Sequence, residues 1–396
     1  MKGGVIRNGN LEFLAVEICF VLSEVCTHSQ PVFVLGFFGA KMINFALVGT
    51  GWRSIFFLRC ARACPDRFRV SGIVSRDPSS KNELGAEFGI DVVGSIDDLL
   101  ASGKPDFVVS SVPWAANPDV IRSLVERDLP VLSETPPATS VEEMEGLYGL
   151  VQNGAKIQVA EQYHLHPLHA ARIAFVQGGK LGRVTQAQLS VCHGYHGMSV
   201  LRRLLGIGFE DATICARTFA SPIVKGPSRS GPPVEEEVVE TKQEIAWLDF
   251  GDRLGVFDFV GDQYFSYFRG QRVCVRGERG EIIDDRARYL TDFKTVVETP
   301  FIRHDAGALG NLEGNHHKGY TVGEDWMYRN PLAPGELTDD EIAVGDCLLK
   351  MAEYADGGPD FYSLAEACQD RYLDIKMKEA EESGVEVRTT RQVWAG

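Results

Sequence analysis

Apolar runs alternate with amphipathic stretches from residue 44 onwards, a pattern typical of repeated strand–helix–strand units. Helices are predicted at about 53–64, 80–88, 96–101, 117–127 and 140–152. Strands are predicted at 44–48, 69–75, 106–112, 130–133 and 156–160. The run at 106–112 is largely apolar, as expected of a strand that is covered on both faces of a parallel sheet. This half of the chain therefore predicts a doubly wound parallel sheet in an α/β fold.

The pattern changes after about residue 165, where a helix is predicted at 166–177. Gly251-Asp252 predicts a hairpin turn further on, and long irregular segments are predicted at 221–233 and 305–334. Strands with two-residue alternation are predicted at 183–193, 210–220, 236–250, 252–260 and 271–284. We expect a second α/β domain with a large, mostly antiparallel open sheet and with helices between 339 and 383.

The first 41 residues stand outside this alternation. Their apolar stretch at 11–25 is interrupted by Glu12, Glu17 and Glu24, which argues against a membrane span, and no cleavage site of a signal peptide is clear. Met42 directly precedes the first predicted strand. We therefore expect residues 1–41 to be an extension or a mis-assigned start.

Composition and charge narrow the classes of partner. The chain has 396 residues, of which 44% are hydrophobic, and this length favours two domains. Its formal net charge of −15 argues against nucleic acid or an anionic membrane as the partner. The nine cysteines are scattered, and the closest pair, Cys60 and Cys64, is interpreted as two packing thiols. A reducing, cytoplasmic location is expected.

A glycine-rich turn follows the first predicted strand. In the pattern Gly49-x-Gly51-x-x-Ser54, the first glycine permits a tight turn and the second lets a ligand approach the backbone. The helix that begins here offers N–H donors and a partial positive charge to a phosphate. In this strand–turn–helix setting, the motif predicts a dinucleotide site.

The end of the second predicted strand bears on the choice of cofactor. NAD-binding sites usually place a carboxylate there, which accepts a hydrogen bond from the ribose 2′-hydroxyl. Here Ser75 and Arg76 stand at that point, and a hydroxyl with a guanidinium suits a 2′-phosphate, so NADP is predicted. Asp77 leaves NAD open, and Arg76 as a plain surface charge is the alternative interpretation.

Six short segments carry a resemblance to the Gfo/Idh/MocA oxidoreductases. The segments are 49–53, 112–114, 131–136, 179–182, 196–206 and 362–367. The resemblance implies an N-terminal dinucleotide-binding Rossmann domain, expected at 42–165, and a C-terminal domain for substrate binding and oligomerisation, expected at 166–396. It also implies NAD(P)-dependent oxidation or reduction of a sugar, polyol or glycoside.

Because the carboxyl ends of parallel strands meet at one edge of a sheet, the cofactor is expected to bind there. The predicted cofactor-binding residues are Gly49, Thr50, Gly51, Trp52, Arg53, Ser75, Arg76, Ser111, Pro113, Trp114, Glu134 and Thr135.

The chain departs from the family's pattern at the residues of its chemistry. Thr135 occupies the place of the lysine in the Glu-Lys-Pro motif, and a threonine hydroxyl is neither a base near neutral pH nor a cation. The later histidine is matched by His196, but Cys192 stands where an acid is expected. Asn117 replaces a further histidine.

Histidines near the predicted site offer a replacement, because imidazole titrates near the operating pH. We predict His196 as the acid/base group, with His193, Tyr163 and His164 positioning the substrate or relaying the proton. Lys318 is considered as a substitute cation. His166 and His169 are interpreted as polar residues of a helix without a catalytic role.

Three alternatives stay open at this point. His193 and His196, with Glu161 or His164, would suit a divalent metal ion, although no metal is predicted. The protein would alternatively be a lyase or glycosidase that uses bound nicotinamide transiently, or a non-catalytic nucleotide-binding relative. A homodimer or homotetramer is expected, because an open sheet has a face that needs cover.

Overall fold

The computed structural model describes residues 41–79 and 82–396. The expectation about residues 1–41 therefore lies, apart from Lys41, outside the described residues.

The first half of the chain forms a six-stranded sheet in the order β3-β2-β1-β4-β5-β6, and every neighbouring pair is parallel. Its strands are β1 (Ile43–Val48), β2 (Phe68–Val74), β3 (Val92–Val93), β4 (Phe107–Ser110), β5 (Val131–Ser133) and β6 (Ile157–Val159). The helices between them are α1 (Trp52–Ala63), α2 (Asn82–Phe88), α3 (Ile96–Ala101), α4 (Asn117–Val125) and α5 (Val141–Gln152). The predicted doubly wound sheet is confirmed, and only the two-residue β3 was not predicted.

Alternate residues of β1 enter two different hydrophobic cores. Phe45 and Leu47 belong to one core, and Ala46 and Val48 belong to the other, on the opposite face of the sheet. This arrangement requires consecutive apolar residues, which is why the parallel strands are apolar runs without a polar face.

The second sheet has eleven strands in the order β16-β15-β14-β13-β12-β11-β7-β10-β9-β8-β17. Only β7 and β10 pair in parallel; the other pairs in this sheet are antiparallel. The strands are β7 (Val184–Ser190), β8 (Thr213–Val224), β9 (Val238–Asp249), β10 (Leu254–Val260), β11 (Arg272–Gly277), β12 (Gly280–Ile283), β13 (Arg286–Leu290), β14 (Val296–Asp305), β15 (His317–Val322), β16 (Asp325–Arg329) and β17 (Val387–Arg388). The predicted mostly antiparallel sheet is confirmed.

Three predicted boundaries in this sheet are wrong. The segment 271–284 is two strands, β11 and β12, because the chain turns back at Glu278-Arg279. The segment 305–334, predicted as irregular, contains the β15–β16 hairpin. The loop predicted at 221–233 begins later, because β8 pairs with β9 as far as Val224.

Four further helices complete the fold: α6 (Pro167–Gln177), α7 (Gly194–Leu205), α8 (Asp339–Ala355) and α9 (Leu364–Ser383). Capping boxes begin α8 at Thr338 and α9 at Ser363, where each hydroxyl accepts from the backbone N–H of a glutamate three residues on. Residues of α8 and α9 enter the two cores of the parallel sheet, so these late helices pack against the sheet formed by the first half of the chain. None of the helices in residues 41–79 and 82–396 is long and apolar enough to cross a membrane.

Candidate active site

A cleft of 1020 Å³ lies between the carboxyl edge of the parallel sheet and the N-terminal end of α7. All twelve residues that the sequence predicts for cofactor binding line this cleft. Tyr163, His193 and His196, three of the four predicted catalytic residues, line it as well. Residues that are far apart in the sequence are therefore brought to one cavity.

The turn after β1 has the geometry that a bound phosphate requires. Gly49 has a φ of 111°, and a Cβ atom there would overlap the carbonyl oxygen of Ser111. A Cβ at Gly51 would meet open space, so the backbone is accessible to a ligand at this point. The Ser54 hydroxyl lies 3.0 Å from both the carbonyl oxygen of Gly49 and the hydroxyl of Ser111, which fastens the turn to β4.

Helix α1 begins at Trp52, immediately after this accessible backbone, and its first turn contains no acidic residue. The free N–H groups of a helix N-terminus attract phosphate. The turn and the helix thus fit the diphosphate of a dinucleotide.

At the end of β2, Ser75 is buried and Arg76 is exposed. The Ser75 hydroxyl accepts a hydrogen bond from the backbone N–H of Asp77 at 3.3 Å. Arg76 makes no hydrogen bond or ion pair with another described residue, and it lines the cleft. A free guanidinium at this point fits an additional phosphate.

Arg53 lies between two carboxylates at the base of the cleft, with its side chain 17% exposed. Its Nε lies 3.0 Å from Glu134 Oε1, and its Nη1 lies 3.2 Å from Asp340 Oδ2. Burial raises the pKa of Glu134, and the charge of Arg53 opposes this effect. Although burial alone would raise the pKa of Asp340, hydrogen bonds from His166 and Arg53 hold it below its usual value. Asp340 belongs to α8, and nothing in the local sequence indicates its place in the site.

The two residues that replace family side chains have different surroundings. Asn117 lies outside the cleft and is 2% exposed; its Oδ1 accepts from Ser110 Oγ at 2.7 Å, and its Nδ2 donates to Ser133 Oγ at 2.9 Å and to the carbonyl oxygen of Pro137 at 3.2 Å. It therefore holds together the ends of β4 and β5. Thr135 lines the cleft, and its carbonyl oxygen accepts from the Tyr195 hydroxyl at 3.4 Å.

His196 forms a buried pair with Glu161, and Nδ1 of the imidazole lies 2.6 Å from Oε2 of the carboxyl group. The other carboxyl oxygen of Glu161 accepts from the backbone N–H of Tyr163 at 3.0 Å. Burial raises the pKa of Glu161 to about 8 and lowers the pKa of His196. The carboxyl group beside His196 therefore comes from Glu161, which follows β6. Cys192, which follows β7, stands where the family's acid was expected. Nε2 has no hydrogen-bond partner among the described residues.

A second set of hydrogen bonds links two tyrosines with His193. The Tyr264 hydroxyl lies 2.7 Å from His193 Nδ1, accepts from the His193 backbone N–H at 3.0 Å, and is hydrogen-bonded to the Tyr163 hydroxyl. Burial lowers the pKa of His193 to about 3, so its imidazole is neutral and accepts from Tyr264. The Tyr163 ring lies 4.6 Å from that of His196, between centroids. Tyr264 lies 71 positions after His193 in the sequence, so no local pattern indicates this contact.

Four other basic residues were considered in the sequence. Three of them lie outside the cleft, and the fourth, His166, lines it. His164 does not line the cleft, because its ring stacks on Tyr362 with the centroids 4.8 Å apart. Lys318 pairs with Glu313 and is not a cleft cation. His166, interpreted as a plain helix residue, lines the cleft with its Nε2 3.2 Å from Asp340 Oδ1, whereas His169 is buried against Arg172. No group of three or more potential metal ligands occurs within residues 41–79 and 82–396.

Fold and site together define a Rossmann-type protein with a second, large-sheet domain. Residues 43–162 match the model of the Gfo/Idh/MocA family, described as an oxidoreductase family with an NAD-binding Rossmann fold. The resemblance to this family that the motifs indicate is thus confirmed over these residues.

Curated relatives match parts of the chain. A D-xylose 1-dehydrogenase (NADP(+)) of Haloferax volcanii is 31% identical over 117 residues, which are 29% of this chain and 36% of the relative. The myo-inositol dehydrogenase Hyg17 of Streptomyces leeuwenhoekii is 28% identical over 222 residues, 53% of this chain and 67% of the relative. The chain thus spans only about a third of the first of these relatives.

Solved structures share the fold over nearly their whole length. A levoglucosan dehydrogenase in complex with NADH and levoglucosan has a TM-score of 0.64 at 15% identity, covering 89% of this chain and all (100%) of that one. An oxidoreductase from Agrobacterium radiobacter, in complex with NAD+, L-tartaric acid and magnesium, has a TM-score of 0.60 at 18% identity, covering 88% and 98%.

Proposed function

We propose that the protein is an NAD(P)-dependent oxidoreductase that acts on a hydroxyl or carbonyl group of a neutral sugar, polyol or glycoside. The observation that carries this proposal is the His196–Glu161 pair, which opens onto the same cleft as the dinucleotide turn at Gly49. Two of the curated relatives are a D-xylose and a myo-inositol dehydrogenase, which supports the same class of substrate.

His196 is the proposed acid/base group. Glu161 occupies Nδ1, so Nε2 is the nitrogen available to the cleft. When Glu161 is ionised, Nδ1 carries the hydrogen of that bond, and Nε2 has a free lone pair for the proton of a substrate hydroxyl. A bound nicotinamide would supply the acceptor for the hydride that leaves the carbon atom bearing this hydroxyl. In the opposite direction, protonated Nε2 returns a proton to the carbonyl oxygen.

Tyr163, His193 and Tyr264 are proposed to position the substrate beside His196. Their hydroxyl and imidazole groups are hydrogen-bonded to one another and line the cleft. They are therefore suited to bind a sugar hydroxyl or to relay its proton. His164, whose ring is turned toward Tyr362, is left out of this set.

The walls of the cleft near His196 favour an uncharged substrate. Trp114 and Tyr195 form an edge-to-face pair there, and the apolar face of a sugar ring packs well on such surfaces. No lysine lines the described cleft, and Arg53 is already paired with two carboxylates. A substrate carboxylate would find only Arg76 and Arg229, the two unpaired arginines of the lining, which are proposed below to bind cofactor phosphates.

NADP is proposed as the preferred cofactor because Arg76 stands free at the end of β2, where a 2′-phosphate would be bound. Glu134 and Thr135 line the cleft beside the other predicted cofactor residues and are proposed to contact the same ligand.

A homodimer or homotetramer through the outer face of the second sheet is also proposed. This face exposes Trp247 and Ile245 of β9, which are 53% and 43% exposed.

The predicted domain division at 165/166 and the cytoplasmic location stay proposals. All seven cysteines in the described part of the chain are free thiols, which suits a reducing compartment.

A spectroscopic assay tests the proposed function. The purified protein is incubated with NADP+ or NAD+ and a panel of neutral sugars, polyols and glycosides, with uronic acids as charged counterparts. We expect reduced cofactor to appear with a neutral member and more slowly with its uronic acid. Product without net reduction of cofactor would instead indicate a lyase or glycosidase with transient redox chemistry. Cofactor binding without any turnover would indicate a non-catalytic relative.

A further inference from the structure

One arginine of the second sheet reaches the dinucleotide turn of the first. Arg229 lies in the loop between β8 and β9, yet it lines the cleft. Its guanidinium carbon lies 4.4 Å from the centroid of the Trp52 ring. Trp52 is the first residue of α1, next to the open backbone at Gly51.

The loop that carries Arg229 has a defined geometry. At its base, the backbone N–H of Lys225 donates to the carbonyl oxygen of Glu237 at 2.8 Å. At its tip, Ser228 and Gly231 exchange two backbone hydrogen bonds of 3.0 Å, so that Arg229 is one of the two residues of a tight turn. Between base and tip, a Cβ atom at Gly226 would lie only 2.9 Å from the carbonyl oxygen of Phe265, another cleft residue. The loop is thus packed against the cleft wall, and its tip presents Arg229.

The charge of Arg229 has no opposite charge beside it. Among the described residues, its guanidinium lies over the Trp52 ring and forms no ion pair, whereas Arg53 is paired with Glu134 and Asp340. Arg229 lines the same cleft as His193, and its charge adds to the larger effect of burial that lowers the pKa of that imidazole. A free guanidinium aimed at a helix N-terminus attracts a phosphate group, because two positive fields then meet at one place.

We propose that Arg229 binds the diphosphate of the dinucleotide from the side opposite α1, so that the second sheet contributes a phosphate ligand of its own. This inference rests on the proposed function, since it assumes that the cleft takes a dinucleotide. Arg229 and Arg76 then have separate tasks: Arg229 contacts the diphosphate that NAD and NADP share, and Arg76 contacts the 2′-phosphate that only NADP has. The ring of Trp52 holds the Arg229 side chain in place.

Calorimetric titration without substrate tests the assignment. Each variant is titrated with NAD+, NADP+, ADP, adenosine 2′,5′-bisphosphate and adenosine. Arg229→Ala should weaken NAD+, NADP+ and ADP by a common factor of about tenfold, the loss of one charge-assisted hydrogen bond at an accessible site, and should leave adenosine unchanged. Arg76→Ala should weaken only NADP+ and adenosine 2′,5′-bisphosphate. Arg276→Ala, which removes an exposed arginine of β11 that does not line the cleft, should change none of them.

Other outcomes overturn the proposal. Loss confined to NADP+ in Arg229→Ala would place this residue on the 2′-phosphate, and unchanged affinities would make it a surface charge. Trp52→Leu should lower the affinity for the same ligands by a smaller factor, because the arginine loses its support; equal affinities in that variant would remove the role given to the ring. If the unaltered protein binds no dinucleotide at all, the proposed function itself fails, and this result is distinct from every outcome above.

Discussion

The Nδ1 atom of His196 lies 2.6 Å from Oε2 of Glu161, in a pair that is almost fully buried. The backbone N–H of Tyr163 donates to the other carboxyl oxygen of Glu161, so the carboxyl group is fixed by two neighbours. Thr135 stands at the place of the family's lysine but carries no charge, and no lysine lines the described cleft. The chemistry of the site is therefore expected to depend on this pair.

Replacing the imidazole tests that dependence directly. His196→Gln keeps a polar side chain but removes the titratable nitrogen, and we expect kcat to fall about 10²- to 10⁴-fold, the usual contribution of a general acid or base. The dissociation constant of NADP+ should stay within about twofold, because His196 is not among the proposed phosphate ligands. The matched control is His304→Gln, since His304 is hydrogen-bonded to Thr321 and does not line the cleft. Unaltered turnover in His196→Gln would remove His196 from the mechanism.

The pH dependence of turnover follows from the raised pKa of Glu161, about 8. Below this pH the carboxyl group is protonated and donates to Nδ1, so Nε2 carries the hydrogen and accepts no proton from a substrate. The rate of alcohol oxidation should therefore rise with pH through about 8, and the rate of carbonyl reduction should fall. Steady-state pH profiles in both directions measure this effect. In Glu161→Gln the inflection should disappear; an inflection that persists would belong to another group.

The same group affects stability with a definite sign. The pKa of Glu161 is raised from 4.5 to about 8 by burial, so the folded protein holds this proton more tightly than the unfolded chain does. Its contribution to the free energy of unfolding is fully present below about pH 4.5 and is lost as the pH rises toward 8. Glu161→Gln should flatten this part of the stability profile.

The local sequence pattern was sufficient to predict the parallel sheet and the glycine-rich turn. Both depend on residues that are close in sequence: consecutive apolar residues make β1 a doubly covered strand, and Gly49 and Gly51 define the turn that follows. The strands β13 and β14 were not predicted; their exposed faces carry Arg286, Arg288 and Glu298, whose ion pairs form only once the two strands lie side by side.

The partners within the site could not be predicted, because they depend on chain segments that meet only in three dimensions. Asp340 reaches Arg53 across 287 positions of sequence. Glu161 replaces the acid missing at Cys192 from a different strand, which no spacing rule anticipates. His164 is likewise turned toward Tyr362, a residue just before α9 that is distant in the sequence.

Asn117 provides a test of stability rather than of chemistry. Its side chain satisfies the hydroxyls of Ser110 and Ser133 and the carbonyl of Pro137, all of which lie inside the protein. Asn117→Ala leaves these groups without their partner, and we expect the free energy of unfolding to fall by about 2 kcal/mol. Urea denaturation measures this change. The exposed Asn153→Ala should differ from the unaltered protein by at most about 0.5 kcal/mol; an equally small effect at Asn117 would contradict the anchoring role.

The outer face of the second sheet tests the proposed assembly. Trp247 projects from β9 opposite Cys215 of β8 and Val256 of β10, so it stands on an interior strand, the third from one edge of the eleven-stranded sheet. A half-exposed tryptophan there is stabilised when a second copy covers it, and a carboxylate at the same place would be buried without a partner. Trp247→Glu should therefore shift the protein from dimer or tetramer to monomer in sedimentation velocity. Val393→Glu places the same charge on an exposed residue outside this sheet and should leave the assembly intact. If Trp247→Glu sediments like the unaltered protein, the subunits do not meet through this face.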